Sequence, residues 1–357
     1  MKLFIAAGGT GGHVFPGISV ADRFTAMSPE NEVVFIGTKI GLESKAVPQA
    51  GYRILYVDAR QFSGRNIVYK LVTVAGLVKG IHDCLSFIKK ENPHAILGMG
   101  GFASVPMVIA GFIHGTPIFL HEQNVQPGLA NKILAKYART IFISFEDTRH
   151  YLGRSRVVLT GNPIRNSVKK RDRDIIDEQY FGIFVFGGSR GARSINQSVV
   201  DMLRYLKEDR DRVIIFHQTG AEDYEGVKDI YENSGIRHEV FPFTDNMAYY
   251  YNNSHVVISR AGASTIFELA YFERPAILIP YPFSAGQHQW KNALQVERIG
   301  GGYIIENSEA TGERLFGVIK RLIDEPELGK KMGENMGRLY IDDAEGLIVK
   351  GIIDGIS

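Results

Sequence analysis

A short apolar strand that runs directly into a glycine cluster occurs twice in this chain, half a chain apart. Residues 3–7 lead into GGTGGH (8–13), and residues 183–186 lead into GGSRGA (187–192). A helical pattern follows each cluster. A glycine turn between a strand and a helix brings the backbone close to a ligand and directs N–H groups and the helix dipole at an anion, commonly a phosphate. Two such units facing each other predict a cleft for a phosphorylated substrate.

Near-continuous apolar runs alternate with helical patterns along both halves of the chain. In the first half they are 3–7, 32–36, 54–57, 95–97, 117–120, 140–144 and 157–159; in the second they are 182–186, 212–217, 238–241, 256–259, 276–280 and 302–305. Runs of this kind are typical of parallel strands that helices cover on both faces of the sheet. We therefore predict an α/β fold with two doubly wound parallel sheets in tandem.

Length agrees with two domains, because 357 residues exceed what one core usually reaches. A turn signal at Gly161–Arg165 is followed by a charged segment at 169–174, which is typical of a solvated linker. We place the domain boundary there, with the first domain at 1–163 and the second at 164–338.

Charge and cysteine content exclude several classes of protein. A net charge of +2, with no basic run interleaved with aromatic residues, argues against nucleic-acid binding. Cys84 is the only cysteine, so the chain forms no intrachain disulfide and no cysteine-rich metal site, and we expect it to be a buried or semi-buried small apolar residue. The first strand begins by residue 3, and no run approaches the ~20 apolar residues of a membrane span. These features predict a cytoplasmic protein that contacts a membrane only at its surface.

The first glycine cluster fits neither common nucleotide-binding motif. Val14-Phe15 stand where a Walker loop has Lys-Ser/Thr, and the second strand ends in Phe35-Ile36-Gly37-Thr38 without the acidic residue of a dinucleotide site. A tight turn without a ligand stays open as an interpretation. His13 follows the glycines at the start of a helix, where a neutral imidazole suits a general base, although capping or packing is the alternative.

Further polar motifs follow other strands, at the sheet edge where parallel sheets bind ligands. GMGGFAS (98–104) predicts a second anion-binding turn in the first half, and HEQN (121–124) places four polar side chains after the next strand. In RAGASTIFE (260–268), Glu268 suits the two hydroxyls of a ribose, but a helix cap by Ser264 or Thr265 with Glu268 in the first turns explains the same residues.

Seven motifs together resemble the MurG family, the GT-B glycosyltransferases that add N-acetylglucosamine to lipid I to make lipid II in peptidoglycan synthesis. They are GGTGGHVFP (8–16), GMGGFAS (98–104), HEQN with PGLANK (121–132), GNPIR (161–165), FGGSRGA (186–192), RAGASTIFE (260–268) and HQWKNA (288–293). The resemblance implies two Rossmann-like domains facing a central cleft, with UDP-N-acetylglucosamine (UDP-GlcNAc) bound mainly by the second. It also implies that the last helix, at about 339–357, packs on the first domain.

The resemblance also implies a set of site residues. Donor contacts are expected at Thr10, Gly11, Gly12, Asn124, Arg165, Ser189, Thr244, Ala263, Ser264, Thr265, Ile266, Phe267, Glu268 and Gln289. Within that set Glu268 would hold the ribose, while Arg165 and Ser189 would address the diphosphate. His13 would be the base, and Gly100, Gly101 and Ser104 of the second turn are candidates for the acceptor diphosphate. The chain departs from the family at Arg190, where Gln is frequent, and at 284–287, which lacks an acidic residue.

The implied reaction inverts the anomeric centre, with UDP as the leaving group. No Asp-x-Asp strand end is present, so we expect no cofactor and no tightly bound metal. The implied partners are UDP-GlcNAc, lipid I and the inner face of the bacterial cell membrane, together with other cell-wall synthesis or division proteins. An amphipathic stretch at 66–90, with basic residues around it, either docks on that membrane or faces the core.

Three other functions remain open on the motifs. A GT-B enzyme with another lipid acceptor, such as diacylglycerol, would share the donor half. A UDP-GlcNAc epimerase would convert the donor without any acceptor, and a regulator would bind the donor without releasing UDP. An NAD-dependent dehydrogenase is disfavoured by the missing acidic residue after the second strand.

Overall fold

The computed structural model describes residues 1–59, 67–171, 179–188 and 191–356, without the side chains of 67–73. These residues form two compact units. Unit 1 comprises Met1–Arg165 and Ile341–Ser357, and unit 2 comprises Asn166–Tyr340.

The described strands are β1 Lys2–Ala7, β2 Glu32–Gly37, β3 Arg53–Tyr56, β4 Ala95–Gly100, β5 Ile118–Glu122, β6 Thr140–Ile143, β7 Val157–Leu159, β8 Phe181–Phe186, β9 Val213–Gln218, β10 Arg237–Phe241, β11 Val256–Ser259, β12 Ala276–Leu278 and β13 Gly302–Ile304. The described α-helices are α1 Gly11–Met27, α2 Glu43–Gln49, α3 Ile67–Glu91, α4 Ser104–His114, α5 Leu129–Leu134, α6 Arg193–Met202, α7 Tyr224–Glu232, α8 Met247–Asn252, α9 Ala263–Phe272, α10 His288–Arg298, α11 Gly312–Asp324, α12 Pro326–Gly337 and α13 Ala344–Ile356.

Each unit contains one parallel sheet. In unit 1 the strand order is β3-β2-β1-β4-β5-β6-β7, and in unit 2 it is β10-β9-β8-β11-β12-β13. Every strand pair is parallel. Both orders reverse direction after the first strand of the unit, as in doubly wound nucleotide-binding folds. The predicted fold class is confirmed, and each predicted strand is present with ends that differ by a few residues.

The two faces of the unit 1 sheet have separate cores. Leu3 and Ile5 of β1 pack in a cluster that contains Val14 of α1 and Ile348 of α13, so the C-terminal helix belongs to unit 1. Phe4 and the other residues of β1 that point to the opposite face pack with α3 and α4. This alternation explains why the strand is apolar along its whole length.

Cys84 of α3 is fully buried in the second of these clusters, as the sequence predicted. Burial raises the pKa of its thiol, so the sulfur behaves as a small apolar group. Among the described residues, no helix combines the length and the apolar character that crossing a membrane requires.

Candidate functional site

The first glycine turn joins β1 to α1 at the carboxyl edge of the unit 1 sheet. Gly9 has a φ of +95°, a conformation that favours glycine, and Thr10 is the N-cap residue of α1 without a side-chain capping bond. The amide of His13 donates to the carbonyl oxygen of Thr10 at 3.1 Å, so the amides of Gly11 and Gly12 are the ones that an α-helix leaves for partners outside it. Gly11 and Gly12 begin the first helical turn, where their small size leaves backbone accessible to a ligand.

Glu43, the first residue of α2, stabilises this turn through hydrogen bonds to its side chain. Its buried carboxylate accepts a hydrogen bond from the Gly9 amide at 3.1 Å and two from Thr38, from the amide at 2.9 Å and from the hydroxyl at 2.7 Å. Sequence reasoning missed Glu43 because it considered acidic residues only at the end of β2. The signal was an acidic residue six positions past that end, at the first position of a short helix.

His13 lies between the two glycine turns of unit 1. Its Nδ1 is 3.2 Å from the carbonyl oxygen of Gly8 and 3.4 Å from the Thr10 hydroxyl. Gly100 and Gly101, with φ of +96° and +77°, pass so close that a Cβ on Gly100 would lie 3.2 Å from Nε2 of His13. The structure therefore brings the predicted base against the second turn.

Ser104 begins α4 just after this second turn. Its buried hydroxyl donates to the carbonyl oxygen of Gly101 at 2.8 Å. This hydrogen bond stabilises the backbone conformation of the turn. A register shift between β1 and β4, where Ala6 pairs with Gly98 and Ala7 with Gly100, places a bulge directly before the turn. Bulges of this kind redirect backbone near functional sites.

The polar end of β5 is a hydrogen-bonded anchor. Glu122 is buried, and its carboxylate accepts bonds from the amides of Asn124 and Gly128 and from the side chain of Asn131. Burial raises the pKa of this carboxyl, against the lowering effect of those bonds. Glu122 thereby sets the position of Asn124, the predicted donor contact.

His121 is fully buried, and both of its ring nitrogens face groups of the protein. Its Nδ1 lies 3.0 Å from Nε2 of Gln123 and its Nε2 lies 3.2 Å from the carbonyl oxygen of Gly161. Because the amide of Gln123 donates to Nδ1, the proton of the neutral ring is assigned to Nε2. Burial lowers the pKa of His121 to about 4, which keeps the ring neutral. Its position is structural.

Arg165 stands at the end of unit 1 beside α1. Its guanidinium lies over the ring of Phe15, with Cζ 4.8 Å from the ring centroid. Stacking of this kind fixes the plane of the guanidinium, as required for bidentate contact with a phosphate. The motif GGTGGHVF therefore supplies both the first turn and the platform for this arginine.

The unit 2 glycine turn joins β8 to α6 and is tightly packed. Gly188 and Gly191 have φ of +104° and +76°, and a Cβ on Gly191 would lie 1.9 Å from the carbonyl oxygen of Thr219. The amide of Gly191 donates to the carbonyl oxygen of Gly188 at 3.0 Å. Only glycine fits at position 191. Ser189, a predicted donor contact, and Arg190 lie outside the described residues.

Gln218, the last residue of β9, bridges this turn to the loop that follows β10. Its amide nitrogen donates to the carbonyl oxygen of Gly188 at 3.1 Å, and its amide oxygen accepts from the backbone amide of Thr244 at 3.2 Å. Thr244 is thereby held by its backbone, while its hydroxyl accepts from the amide of Asn246. Sequence reasoning did not single out Gln218.

Helix α9 carries the predicted ribose contact. Its N-cap residue is Gly262 without any side-chain capping bond, and its first turn holds no acidic residue. The capping interpretation of Ser264, Thr265 and Glu268 is therefore wrong. The hydroxyl of Ser264 is buried without a hydrogen-bond partner among the described residues. Such an orphan at a helix N-terminus is suited to a ligand acceptor.

Glu268 lies in the second turn of α9, after Ala263, Ile266 and Phe267, which pack their side chains into the core. Its nearly buried carboxylate accepts a hydrogen bond from the hydroxyl of Tyr251 at 2.9 Å. This bond engages one carboxylate oxygen and fixes the orientation of the group.

Arg260 was also missed by sequence reasoning. Its guanidinium donates to the carbonyl oxygen of Ile279 at 2.9 Å, to the side chain of Asn307 at 2.8 Å and to the hydroxyl of Ser194 in α6 at 2.9 Å. Burial lowers the pKa of Arg260, but an arginine guanidinium remains cationic at physiological pH. It joins the carboxyl ends of β11 and β12 to the first turn of α6 and adds positive charge there.

Gln289 is the second residue of α10 and accepts a hydrogen bond from the backbone amide of Tyr281 at 2.8 Å through its side-chain oxygen. The preceding residues Gly286 and Gln287 both adopt left-handed φ, of +59° and +56°. His288 lies 2.9 Å from the carbonyl oxygen of Ala285 through Nδ1, which gives it a role in the turn.

The amphipathic stretch at 66–90 divides along helix α3. Cys84 and Ile88 are buried, whereas Val74 and Val78 are exposed. Ile67, Lys70 and Leu71 belong to the part whose side chains are not described, and Arg65 lies outside the described residues. The buried face of the helix packs on the core, and the exposed face leaves apolar residues available for docking on a membrane. Both predicted uses of the stretch therefore stay compatible with the structure.

A cavity of about 900 Å³ in unit 2 has no part in this site. It is lined by Phe181, Arg212, His255 and Pro275, which lie at the amino ends of strands. The glycine turn and α9 lie at the carboxyl ends. Among the described residues, no group of three or more His, Cys, Asp or Glu side chains is arranged to hold a metal ion.

Comparison with known proteins covers both units. Residues 3–143 match the glycosyltransferase family 28 N-terminal domain, and residues 182–344 match the glycosyltransferase family 28 C-terminal domain. The UDP-N-acetylglucosamine--N-acetylmuramyl-(pentapeptide) pyrophosphoryl-undecaprenol N-acetylglucosamine transferase of Geotalea uraniireducens (strain Rf4) is 40% identical over 353 residues, covering 98% of this chain and 97% of that protein.

Solved structures are also similar over the whole chain. The crystal structure of Acinetobacter baumannii MurG has a TM-score of 0.81 and 26% identity, and the match covers 99% of both chains. The UDP-GlcNAc 2-epimerase from Neisseria meningitidis bound to UDP-GlcNAc has a TM-score of 0.71 and 12% identity, covering 99% of this chain and 100% of that chain. At that identity the second likeness concerns the fold alone.

Proposed function

The chain belongs to the family of MurG N-acetylglucosamine transferases, and from this premise we propose that it moves N-acetylglucosamine from UDP-GlcNAc to the 4-hydroxyl of the N-acetylmuramyl unit of lipid I. The products are lipid II, with a β-1,4 linkage, and UDP. The observation that carries this function is 40% identity to a named transferase over 98% of the chain. The protein is thus a hexosyltransferase of peptidoglycan synthesis.

Transfer proceeds by one in-line displacement with inversion, because the donor is α-linked and the product is β-linked. The acceptor oxygen attacks the anomeric carbon while His13 takes its proton. Nδ1 of His13 faces the Gly8 carbonyl oxygen, which only accepts hydrogen bonds, so Nδ1 carries the proton of the neutral ring and Nε2 carries the lone pair. Nε2 is therefore the atom that acts as base.

The donor is held mainly by unit 2. The turn at Gly187–Gly191 and the first turn of α6 offer backbone N–H groups to the diphosphate, and the negative charge that develops on departing UDP is stabilised there. Glu268 accepts hydrogen bonds from the ribose hydroxyls. Arg165 and Ser189 contact the diphosphate, while Thr10–Gly12 and Asn124 complete the donor contacts, and Gln289 binds the sugar.

The acceptor is held by unit 1. Gly100, Gly101 and Ser104 form the turn that takes its diphosphate, next to His13. Lipid I lies in a membrane, so the enzyme works as a peripheral protein on the inner face of the cell membrane. Val74 and Val78 of α3, and Phe112 and Ile113 of the neighbouring α4, are exposed apolar residues suited to such docking, with Lys79 beside them. Other cell-wall synthesis or division proteins are expected partners.

The alternatives left by the motifs are not favoured. The relatives are named for transfer to the N-acetylmuramyl lipid and not to another lipid acceptor. The epimerase shares the fold at 12% identity, with no further observation in its support. A non-catalytic regulator has no counterpart among the named relatives quoted above.

The decisive experiment measures UDP release from UDP-GlcNAc with and without a lipid I analogue. Acceptor-dependent release, with lipid II as product, is expected. Release without acceptor would indicate a hydrolase, and loss of donor with no UDP released would indicate an epimerase. Activity on diacylglycerol instead of lipid I would identify another lipid acceptor. Release without acceptor, loss of donor without UDP, and activity on diacylglycerol instead of lipid I would each contradict the proposal.

A further inference from the structure

Gln218 lies in the unit 2 sheet on a strand that has a neighbour on each side. It ends β9, which lies between β8 and β10, and it is in register with Phe186 on one side and Phe241 on the other. Phe186 immediately precedes the glycine turn, and Phe241 stands three residues before Thr244. Gln218 is only 2% exposed. Its side chain therefore faces two ligand-binding segments from a buried position.

The orientation of its carboxamide is set by its two partners. The carbonyl oxygen of Gly188 only accepts hydrogen bonds, and the backbone N–H of Thr244 only donates. The amide nitrogen therefore faces Gly188, at 3.1 Å, and the amide oxygen faces Thr244, at 3.2 Å. The same side chain satisfies one group in each segment.

The bond to Gly188 has a specific consequence for anion binding. A phosphate site needs N–H groups, and a carbonyl oxygen turned toward the anion repels it. Gly188 has a φ of +104°, a backbone conformation that glycine adopts without strain, and its carbonyl oxygen is held by hydrogen bonds. The side chain of Gln218 and the amide of Gly191 both donate to this oxygen and so hold it in one orientation.

We propose that Gln218 is a positioning residue for the donor: its carboxamide joins the diphosphate-binding turn at Gly188 to the Thr244 loop, so that binding of the two parts of UDP is coupled. The inference rests on the proposed function, which places the diphosphate at this turn, and on the donor contact that the family resemblance implies at Thr244, which we assign to the uridine. Gln218 touches neither the sugar nor the reacting atoms. It acts through the two backbone segments.

Two variants separate the two bonds. Gln218→Met has similar length and removes both. Gln218→Glu at about pH 8 keeps an acceptor for the Thr244 amide but sets a second acceptor against the Gly188 carbonyl, because an ionised carboxylate cannot donate. Ser254→Ala is the matched control. It removes a buried hydrogen bond to the backbone carbonyl oxygen of Tyr251, at the amino end of β11. UDP and uridine are the probes, and calorimetry measures their dissociation constants.

For Gln218→Met we expect both UDP and uridine to bind about tenfold more weakly, as loss of one buried hydrogen bond in each segment implies. For Gln218→Glu we expect UDP to weaken by at least about tenfold while uridine stays within about threefold of the wild type. Ser254→Ala should bind both normally. If both Gln218 variants are folded and bind UDP within about threefold of the wild type, the inference is wrong.

The uridine measurement tests the coupling separately. If Gln218→Met weakens UDP but leaves uridine unchanged, the link to the Thr244 loop is overturned. The transfer assay on the wild type distinguishes this inference from the proposed function. Failure of the wild type to use a lipid I analogue contradicts the function alone, whereas normal transfer with UDP binding unchanged in both variants contradicts only the role of Gln218.

Discussion

Nδ1 of His13 lies 3.2 Å from the carbonyl oxygen of Gly8, the first residue after β1. The two residues are 5 positions apart in the same strand-to-helix turn. The residues that form the glycine turn therefore also fix the tautomer of the candidate base. It directs the lone pair of the neutral ring to Nε2, on the side where Gly100 passes. The glycine cluster thus sets the tautomer of the proposed base as well as the shape of the backbone.

Replacing His13 by Asn tests this assignment. The amide of Asn can take the place of the Nδ1–H donor toward Gly8, but it offers no base where Nε2 stood. We expect kcat to fall about 10²- to 10⁴-fold, the usual contribution of a general base, with the dissociation constant of UDP unchanged. Steady-state kinetics with a lipid I analogue and calorimetry with UDP measure the two quantities. Near-wild-type turnover would show that another group removes the proton.

Gly101→Ala should separate the two turns of unit 1. A Cβ at 101 would lie 2.3 Å from the carbonyl oxygen of Gly8, and the φ of +77° disfavours any other residue. Gly115→Ala is the control, because its φ is +84° and, apart from its chain neighbours, no atom of the described residues lies within 4 Å of its Cβ position. We expect Gly115→Ala to cost about 1 kcal/mol of unfolding free energy and Gly101→Ala to cost clearly more and to remove activity. Equal losses in the two variants would contradict the close packing.

Glu43→Gln tests the buried anchor beneath the first turn. The carboxylate accepts three hydrogen bonds, and an amide replaces one acceptor oxygen by a donor that faces N–H or O–H groups. We expect a loss of about 2 kcal/mol in unfolding free energy together with reduced kcat. Ser44→Ala on the same helix removes a bond to Gly41 and is the control, with a small effect expected. Denaturant unfolding and transfer kinetics provide the two measurements.

The fold was predictable because its strands are apolar on both faces. A residue such as Phe4 is buried by helices on one side of the sheet and Ile5 by helices on the other, so the whole run reads as strand without knowledge of the partners. The glycine turns were predictable for a similar reason, since positive φ restricts Gly9, Gly101 and Gly188 locally.

The supporting contacts were not predictable, because each joins residues far apart in sequence. Glu43 reaches Gly9 across 34 positions, and Gln218 reaches Gly188 across 30. Local pattern also misled at α9, where Ser264 or Thr265 together with Glu268 indicated a helix cap, yet the helix begins at Ala263 with Gly262 as its N-cap residue. The position at which the chain leaves β11 decides that boundary, and it depends on packing.

Glu268→Ala should weaken donor binding. A carboxylate that accepts hydrogen bonds from ribose hydroxyls contributes roughly 1.5–3 kcal/mol, so we expect KM for UDP-GlcNAc and the dissociation constant of uridine to rise about 10- to 100-fold. Tyr251→Phe removes the hydroxyl that donates to Glu268 but leaves the carboxylate, so its effect should be much smaller. Equal effects in the two variants would show that Glu268 acts only through Tyr251.

The buried ring of His217 predicts loss of stability in mild acid. It lies 3.1 Å from the Tyr231 hydroxyl and 3.1 Å from the side chain of Asn196, and burial lowers its pKa from 6.5 to about 3. Below pH 6.5 the unfolded chain binds a proton that the folded chain does not, so stability is full above that value and falls as the pH decreases toward the folded pKa. The slope contributed by one such histidine approaches about 1.4 kcal/mol per pH unit. His121, whose pKa burial lowers to about 4, changes the stability of unit 1 with pH in the same direction.

We expect the unfolding free energy of His217→Gln, measured in denaturant between about pH 7.5 and 5, to vary less with pH than that of the wild type. Identical slopes would mean that the ring is already protonated, or accessible to water, in the folded protein.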